Sequence, residues 1–288
     1  MRDFVIITDS TCDLPQEIME KLNIKLAPMS ITIDDNSYKH YDDYRELSKD
    51  DFYQKIRGGF VGTTAGVNSQ DAISVMGEAL NNNNDVLYLS FSSAMSSSYQ
   101  SAFMAVLELQ EDFPNANIKV IDTLSACVGQ GLLVYLAAMK KAEGASFDEV
   151  VEFVENNKLN ICHSFMVDDL MYLEKSGRTS HLSAVAGTML NIKPVFKINN
   201  DGKIFLDGKV RGKNAGIKHL LNRAKDKGLD HKIFFIGHAD MEEDALILKN
   251  QILELFPEAE IITNCIGPII GNCLGPGALA VAFVGDNR

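Results

Sequence analysis

The sequence has no long apolar run, no paired cysteines and no excess of basic residues, and each absence excludes a class of protein. No apolar stretch approaches the ~18 residues that a membrane-spanning helix requires. The five cysteines are scattered and odd in number, which favours a reducing compartment such as the cytoplasm. The formal net charge of −12 disfavours a nucleic-acid partner, because phosphate binding needs a basic surface.

The usual cofactor fingerprints are missing as well. The sequence contains no Gly-Lys-Ser/Thr loop and no Gly-x-Gly-x-x-Gly after a strand, so ATP and NAD lack their common sites. None of the six histidines forms a His-x-x-x-His pair or lies beside paired cysteines, which argues against zinc. The N-terminal apolar stretch is too short for a signal peptide and predicts a buried strand instead. We therefore expect no cofactor, no metal and no membrane span.

Short apolar segments alternate with longer periodic ones, which predicts an α/β fold with a largely parallel sheet. A soft boundary near residue 157 suggests two α/β domains, 1–157 and 158–288, with a ligand-binding cleft between them and a last strand that could return to the first domain. Expected strands cover 4–8, 24–33, 86–89, 118–122, 164–167, 194–198, 203–206, 232–237, 259–263 and 278–284. Expected helices cover 130–141, 182–190, 213–227 and 242–255, and two more begin after the capping residues Ser48 and Ser146.

Seven serines crowd residues 90–101, between a predicted strand and a predicted helix. Ligands of α/β proteins lie outside the carboxyl ends of strands, and hydroxyls with free helix amides suit a phosphate or a carboxylate. No His, Lys or Arg lies within the run, which favours anion binding over serine catalysis. Ordinary turn chemistry would explain some of these serines, but seven exceed what one cap needs.

Two other polar segments lie in the first half. Residues 8–15 (Thr-Asp-Ser-Thr-Cys-Asp-Leu-Pro) follow the first strand, and Asp13 before Pro15 favours a helix cap over a binding site. Residues 61–66 (Val-Gly-Thr-Thr-Ala-Gly) can direct two hydroxyls at one anion, although alone they equally suit an ordinary loop.

The second half adds an arginine and a Gly/Pro-rich tail. We expect Arg178 to pair with Asp168 or Asp169 as a structural clamp, with a ligand or partner as the alternative. Residues 266–277 contain four glycines and two prolines, which fix one backbone path and suggest close approach to another group. Cys273 has no basic neighbour in sequence, so we expect a small buried residue rather than a reactive thiol.

Taken in order, these segments resemble the DegV family of bacterial fatty-acid-binding proteins, over essentially the whole chain. Each motif is loose alone, and the match is specific because the motifs occur in the right order. The matching segments are residues 8–15 (the opening motif), 63–64 (a Thr-Ser-Gln-Pro-Ser loop), 92–99 (Ser-Ser-x-Leu-Ser-Gly-Thr-Tyr), 173–180 (Lys-Gly-Gly-Arg-Ile-Ser), 191–194, 210–213 and the Gly/Pro tail.

The resemblance implies a non-enzymatic protein that binds a long-chain fatty acid such as palmitate between two α/β domains, with a role in lipid transport or fatty acid metabolism. Some relatives present the acid to a separate fatty-acid kinase, and Arg178 and Arg211 match basic positions for that docking. Carried over residue by residue, the carboxylate-binding hydroxyls are those of Thr63, Ser93 and Ser96, with Thr64, Ser92, Cys273 and Arg178 as secondary residues.

Three positions depart from the family pattern. Cys273 stands where the family commonly has a His, which removes a donor from the carboxylate site. Gln-Pro is replaced by Ala65 and Gly66, and a family Gly is replaced by Ser97. The apolar residues available for a tunnel are Met95, Phe165, Met166, Leu190, Ile192, Ile269 and Ile270.

Two alternatives remain open at this point. One is a serine acyl hydrolase acting through Ser93 or Ser96, which lacks the Gly-x-Ser-x-Gly elbow. The other is a protein that binds a different small anion, such as a phosphorylated metabolite.

Overall fold

The computed structural model describes residues 2–179, 191–286 and 288, and the elements below belong to those residues. The strands are β1 (Phe4–Asp9), β2 (Lys25–Ala27), β3 (Ser30–Ile33), β4 (Asn36–Lys39), β5 (Thr63–Ala65), β6 (Asp85–Ser90), β7 (Ile118–Asp122), β8 (Ile161–Met166), β9 (Ile192–Ile198), β10 (Ile204–Arg211), β11 (Ile233–His238), β12 (Glu260–Cys265) and β13 (Leu279–Val284). The helices are α1 (Gln16–Lys21), α2 (Lys49–Arg57), α3 (Ser69–Asn81), α4 (Ser98–Asp112), α5 (Cys127–Ala142), α6 (Phe147–Asn157), α7 (Leu170–Ser176), α8 (Lys213–Lys227), α9 (Glu242–Leu255) and α10 (Pro268–Leu274). The expected helix at 182–190 lies outside the described residues.

Four parallel strands form the first sheet, in the order β2-β1-β6-β7. Every residue of β1 and β6 is buried, as expected for central strands of a parallel sheet that is covered on both faces. Parallel strands end at the same edge, and there the register pairs Ser90 with Asp122. The predicted α/β fold is confirmed, and the serine run begins at this edge.

The second sheet is mixed, with the order β10-β9-β8-β13-β11-β12. Only β11 and β12 pair in parallel, so the expectation of a largely parallel sheet does not extend to this half. β13 lies between β8 and β11 and does not return to the first sheet. Its residues are apolar on both faces, which suits a central position in the second sheet.

Two apolar cores flank the second sheet. The larger one joins the first sheet and α5 to one face of the second sheet, through Phe165, Ala280 and Ala282. The smaller one fills the space between the opposite face and helices α8 and α9. No helix among the described residues is long and apolar enough to cross a membrane. The second sheet therefore presents its inner face to the first half of the chain.

Strands β9 and β10 pair as an antiparallel hairpin, and its tip reaches the first half of the chain. Gly202 has a φ of +73°, a conformation that favours glycine. Ser92 Oγ donates a hydrogen bond to the Gly202 carbonyl oxygen at 2.8 Å. A Cβ at Gly202 would lie 2.3 Å from that same hydroxyl oxygen. The hairpin tip thus packs directly on the serine run.

Two of the predicted capping residues, Ser48 and Ser146, do begin helices. Ser48 accepts a hydrogen bond from the Asp51 N–H at the start of α2. Ser146 and Glu149 form the predicted capping box at the start of α6. The Gly/Pro tail contains a helix, α10, that begins at Pro268, and the pattern analysis did not predict it.

Candidate functional site

An apolar cavity of about 850 Å³, counting its solvent-open part, lies between the loop edge of the first sheet and the inner face of the second. Phe91 and Val128 line it from the first half of the chain, and Ile204 from the second. Four of the predicted tunnel residues line the cavity, namely Met95, Phe165, Ile269 and Ile270. Met166 packs in the smaller core, Ile192 is not part of the wall, and Leu190 lies outside the described residues.

The threonine loop contributes Thr64, not Thr63, to the cavity wall. Both residues belong to β5, where Thr64 pairs with Ile31 and Thr63 pairs with Thr32. Successive side chains of a strand point to opposite faces, so only one of the two threonines can face the cavity. Thr63 is exposed and Thr64 is partly buried.

The serine run contributes Ser96, while the other two predicted serines have different surroundings. Ser93 is exposed, and its backbone N–H donates to Asp122 Oδ1 at 3.2 Å. Ser92 is buried and binds the hairpin tip, as described above. Of the three primary residues predicted from the sequence, only Ser96 lines the cavity.

A hydroxyl network holds the serine run against the threonine loop. The Ser96 and Ser98 hydroxyl oxygens are 2.9 Å apart, and the Ser98 hydroxyl accepts from the Val67 N–H at 3.1 Å. A Cβ at Gly66 would lie 2.9 Å from Ser96 Oγ and 2.8 Å from Ser98 Oγ. Glycine at position 66 therefore lets the loop approach these hydroxyls more closely than a larger residue would.

Helix α10 holds the same loop from the other half of the chain. Asn272 Oδ1 accepts from the Gly62 N–H at 2.7 Å, and its Nδ2 donates to the Gly62 carbonyl oxygen at 2.8 Å. Asn272 is buried and lines the cavity. Thr64 is thus positioned by contacts from both halves.

Arg178 lines the cavity and does not form the predicted clamp with Asp168 or Asp169. Asp168 pairs with Lys193 at 2.7 Å, and Asp169 accepts from the Met171 N–H at the start of α7. Gly177 ends α7 with a φ of +69°, which turns the chain toward the cavity.

The guanidinium of Arg178 donates to two backbone carbonyls. Nη1 donates to the Ser176 oxygen at 2.5 Å, and Nε donates to the Met95 oxygen at 3.5 Å. No ion pair with a carboxylate neutralises Arg178 among the residues that the structure describes. A positive charge therefore borders the cavity beside Ser96.

Cys273 also lines the cavity, beside Ser176 and Arg178. Burial raises the pKa of its thiol, while the Ser176 hydroxyl and the Arg178 charge oppose that rise. The net shift is upward, so the group is a neutral thiol and a weak hydrogen-bond donor. The site at this end thus combines hydroxyls, a thiol and one guanidinium.

The opening motif supports the site from outside and does not cap α1 as expected. Asp13 Oδ1 accepts from the Gly267 N–H at 2.8 Å, which ties the motif to the Gly/Pro tail. Asp9 accepts from the Phe91 N–H at 2.7 Å, which fixes the start of the serine run. Burial raises the pKa of Asp13 to about 7, despite the opposing contacts with Cys127 and Gly267.

The arrangement lacks the parts of a serine hydrolase. Ser96 Oγ contacts Ser98, and no hydrogen bond joins it to a histidine or a carboxylate among the described residues. The described residues also contain no cluster of three or more His, Cys, Asp or Glu side chains that could hold a metal ion. The hydroxyls and the guanidinium at this end are groups that can donate hydrogen bonds to an anion.

The family model described as "Uncharacterised protein, DegV family" matches residues 3–286. The chain belongs to the DegV family. A DegV domain-containing protein of Clostridium perfringens is 39% identical over 290 residues, which cover 100% of this chain and 99% of the relative. A second DegV domain-containing protein, from Caldanaerobacter subterraneus, is 32% identical over 98% of this chain and 99% of its own.

Solved structures of DegV proteins have the same fold. A fatty-acid-binding DegV family protein from Thermus thermophilus is 27% identical with a TM-score of 0.88, covering 99% of this chain and 100% of that one. A fatty-acid-binding DegV protein from Streptococcus agalactiae is 27% identical with a TM-score of 0.85, covering both chains fully. The Streptococcus pneumoniae fatty acid kinase B3 protein, solved with linoleic acid, shares the fold at 24% identity and a TM-score of 0.86, over 99% and 100% of the two chains.

Proposed function

We propose that this DegV protein binds a long-chain fatty acid in the cavity, with its carboxylate at the end formed by Thr64, Ser96 and Arg178. The observation that carries the proposal is the composition of the wall, which is mainly apolar and has hydroxyls and the guanidinium of Arg178 at one end. The fatty-acid-binding DegV proteins of Thermus thermophilus and Streptococcus agalactiae support it.

The free energies of the available contacts favour a long apolar ligand over a small anion. Each methylene buried in an apolar wall contributes about 0.8 kcal/mol, so a palmitoyl chain supplies most of the binding free energy. A hydrogen bond to a charged acceptor adds about 1.5–3 kcal/mol, which orients the carboxylate. A small phosphorylated metabolite would use the polar end alone and leave the apolar wall unfilled.

The carboxylate donors are therefore reassigned within the segments that the sequence indicated. Thr64 replaces Thr63, because Thr64 is the β5 hydroxyl residue in the wall. Ser96 is retained, Ser93 is left out, and Arg178 supplies the positive charge. The thiol of Cys273 is a weaker donor than the imidazole common in the family, so Arg178 carries more of the recognition here.

The proposed binding mode predicts that palmitate shields Cys273 from alkylation. The bound chain would cover a thiol in the cavity wall, whereas Cys265 is similarly half-buried but lies outside the cavity. Peptide mass spectrometry after treatment with iodoacetamide would measure both sites in one sample. We expect palmitate to slow labelling of Cys273 by about tenfold or more and to leave Cys265 unchanged. Equal labelling of Cys273 with and without palmitate would contradict the site.

We further propose that the loaded protein presents its ligand to a separate fatty-acid kinase near Arg178 and Arg211. Arg211 ends β10, is exposed and makes no ion pair with the described residues, so its charge is available to an acidic partner. Arg178 borders the cavity itself.

A phosphorylation assay with a fatty-acid kinase should distinguish the roles of the two arginines. We expect Arg211→Glu to lower the rate of acyl phosphate formation by about tenfold and to leave palmitate affinity unchanged, because Arg211 is not in the wall. Arg178→Gln should lower both the rate of acyl phosphate formation and the affinity for palmitate. Normal phosphorylation with Arg211→Glu would remove Arg211 from the docking surface.

A further inference from the structure

His163 stands in the cavity wall, and none of the described residues is placed to complete a hydrogen bond with either ring nitrogen. The residue is 5% exposed. A buried polar group without a partner costs about 1–3 kcal/mol, so native proteins rarely leave one unsatisfied. His163 is not one of the residues to which the carboxylate is assigned above. A polar group on a bound ligand could form the hydrogen bonds that the ring lacks.

The ring lies on the same face of the second sheet as the cavity. In β8, His163 alternates with Phe165, and the register pairs them with Ala282 and Ala280 of β13. Phe165 and Ala280 line the cavity, while the alternate residues of both strands pack in the smaller core behind the sheet.

Helix α5 holds the imidazole in place. A Cβ at Gly129 would lie 1.9 Å from Nε2 of His163 and 2.3 Å from Cδ2, so the ring occupies the space that glycine leaves. Gly129 is buried in the first turn of α5, next to the wall residues Cys127 and Val128. The ring cannot turn freely away from the cavity without disturbing this contact.

The ring is neutral, which defines its hydrogen-bonding capacity. Burial lowers its pKa well below the usual value, and the positive charge of Arg288 lowers it further. The backbone groups of Ile161 and Ala126 beside the ring oppose these effects. A neutral imidazole has one N–H donor and one acceptor nitrogen. A hydroxyl group can bind to either nitrogen, whichever tautomer is present.

We propose that His163 makes the cavity selective for hydroxylated long-chain fatty acids, by binding a hydroxyl group carried on the acyl chain. The inference rests on the proposed function and specifies its ligand class. In an apolar wall, a chain hydroxyl at most positions would lose its hydrogen bonds to water. A hydroxyl at the carbon that faces His163 regains a partner, so selectivity should depend on its position along the chain.

The test compares stearate with 2-, 3-, 10- and 12-hydroxystearate, in titrations of delipidated wild-type protein and two variants. His163→Leu removes both ring nitrogens at similar volume, and His163→Gln keeps a donor and an acceptor. We expect one positional isomer to bind wild-type protein about tenfold more tightly than the other isomers, which is about 1.4 kcal/mol. His163→Leu should remove this preference, so that all four isomers bind with similar affinity. His163→Gln should restore part of it.

Two results would overturn the inference. Similar affinities for all isomers in wild-type protein would show that no wall group recognises a chain hydroxyl. A positional preference that survives in His163→Leu would assign the recognition elsewhere. The stearate arm separates this inference from the proposed function, because absence of binding by stearate and by every isomer would reject fatty-acid binding itself.

Discussion

The Thr64→Val/Ser96→Ala double variant should bind palmitate about 100-fold more weakly than the wild type. Both hydroxyls lie in the polar end of the cavity wall, and their removal leaves the carboxylate with fewer donors. A loss of roughly 1.5 kcal/mol for each bond to a charged acceptor gives this magnitude. Titration of the delipidated protein with a fluorescent fatty acid, displaced by palmitate, would measure it.

The matched control is Thr63→Val/Ser93→Ala, which changes the adjacent threonine and the nearby serine that are exposed. Its palmitate affinity should stay within about twofold of wild type. Ser96 also accepts from the Ser98 N–H, so thermal unfolding should be compared to separate binding from stability. The opposite pattern, with a defect in the control pair alone, would return the site to Thr63 and Ser93.

Ala280→Phe should shorten the usable cavity and weaken long ligands most. Ala280 is buried in the wall on β13, so a phenyl group there would occupy space needed by the acyl chain. Displacement of about four methylenes at ~0.8 kcal/mol each predicts a loss above 100-fold for palmitate. The affinity for octanoate should fall by a much smaller factor. Isothermal titration across a series of chain lengths would measure the affinity gained per methylene.

The chain-length series contains its own control. Overpacking costs about 1–3 kcal/mol of stability, so a general structural defect would weaken short and long acids by the same factor. Ala280→Val adds less volume and should give an intermediate result. Undiminished palmitate binding by folded Ala280→Phe would exclude this cavity as the site of the chain.

Local patterns were enough to predict most elements of the fold. The apolar runs that became β6 and β7 and the capping box at Ser146 are decided by neighbouring residues, and the structure confirms them. Strand pairing is decided by distant residues, so the mixed second sheet was not predictable from the order of its elements. Short elements such as β5 and α10 lack a periodic signal and were missed.

The sequence indicated the segments that line the cavity better than the individual residues. Side chains of β5 alternate between the two faces of the strand, and Thr64 is on the face that meets the cavity. A three-residue strand gives no sequence signal for which of its residues takes that face. We expected Arg178 to form an ion pair with Asp168 or Asp169 because these residues are near it in sequence. In the structure, Lys193 of β9 pairs with Asp168 instead. His163 was missed because only the packing of β8 against α5 brings it to the cavity.

Mass spectrometry of the lipid extracted from purified, denatured protein tests fatty-acid binding most directly. Expression in bacteria supplies long-chain acids, and a cavity of this composition should retain one through purification. We predict one long-chain fatty acid for each protein chain, and a marked loss of that lipid from Thr64→Val/Ser96→Ala. Protein that carries no fatty acid and also fails to bind palmitate after purification would contradict the account.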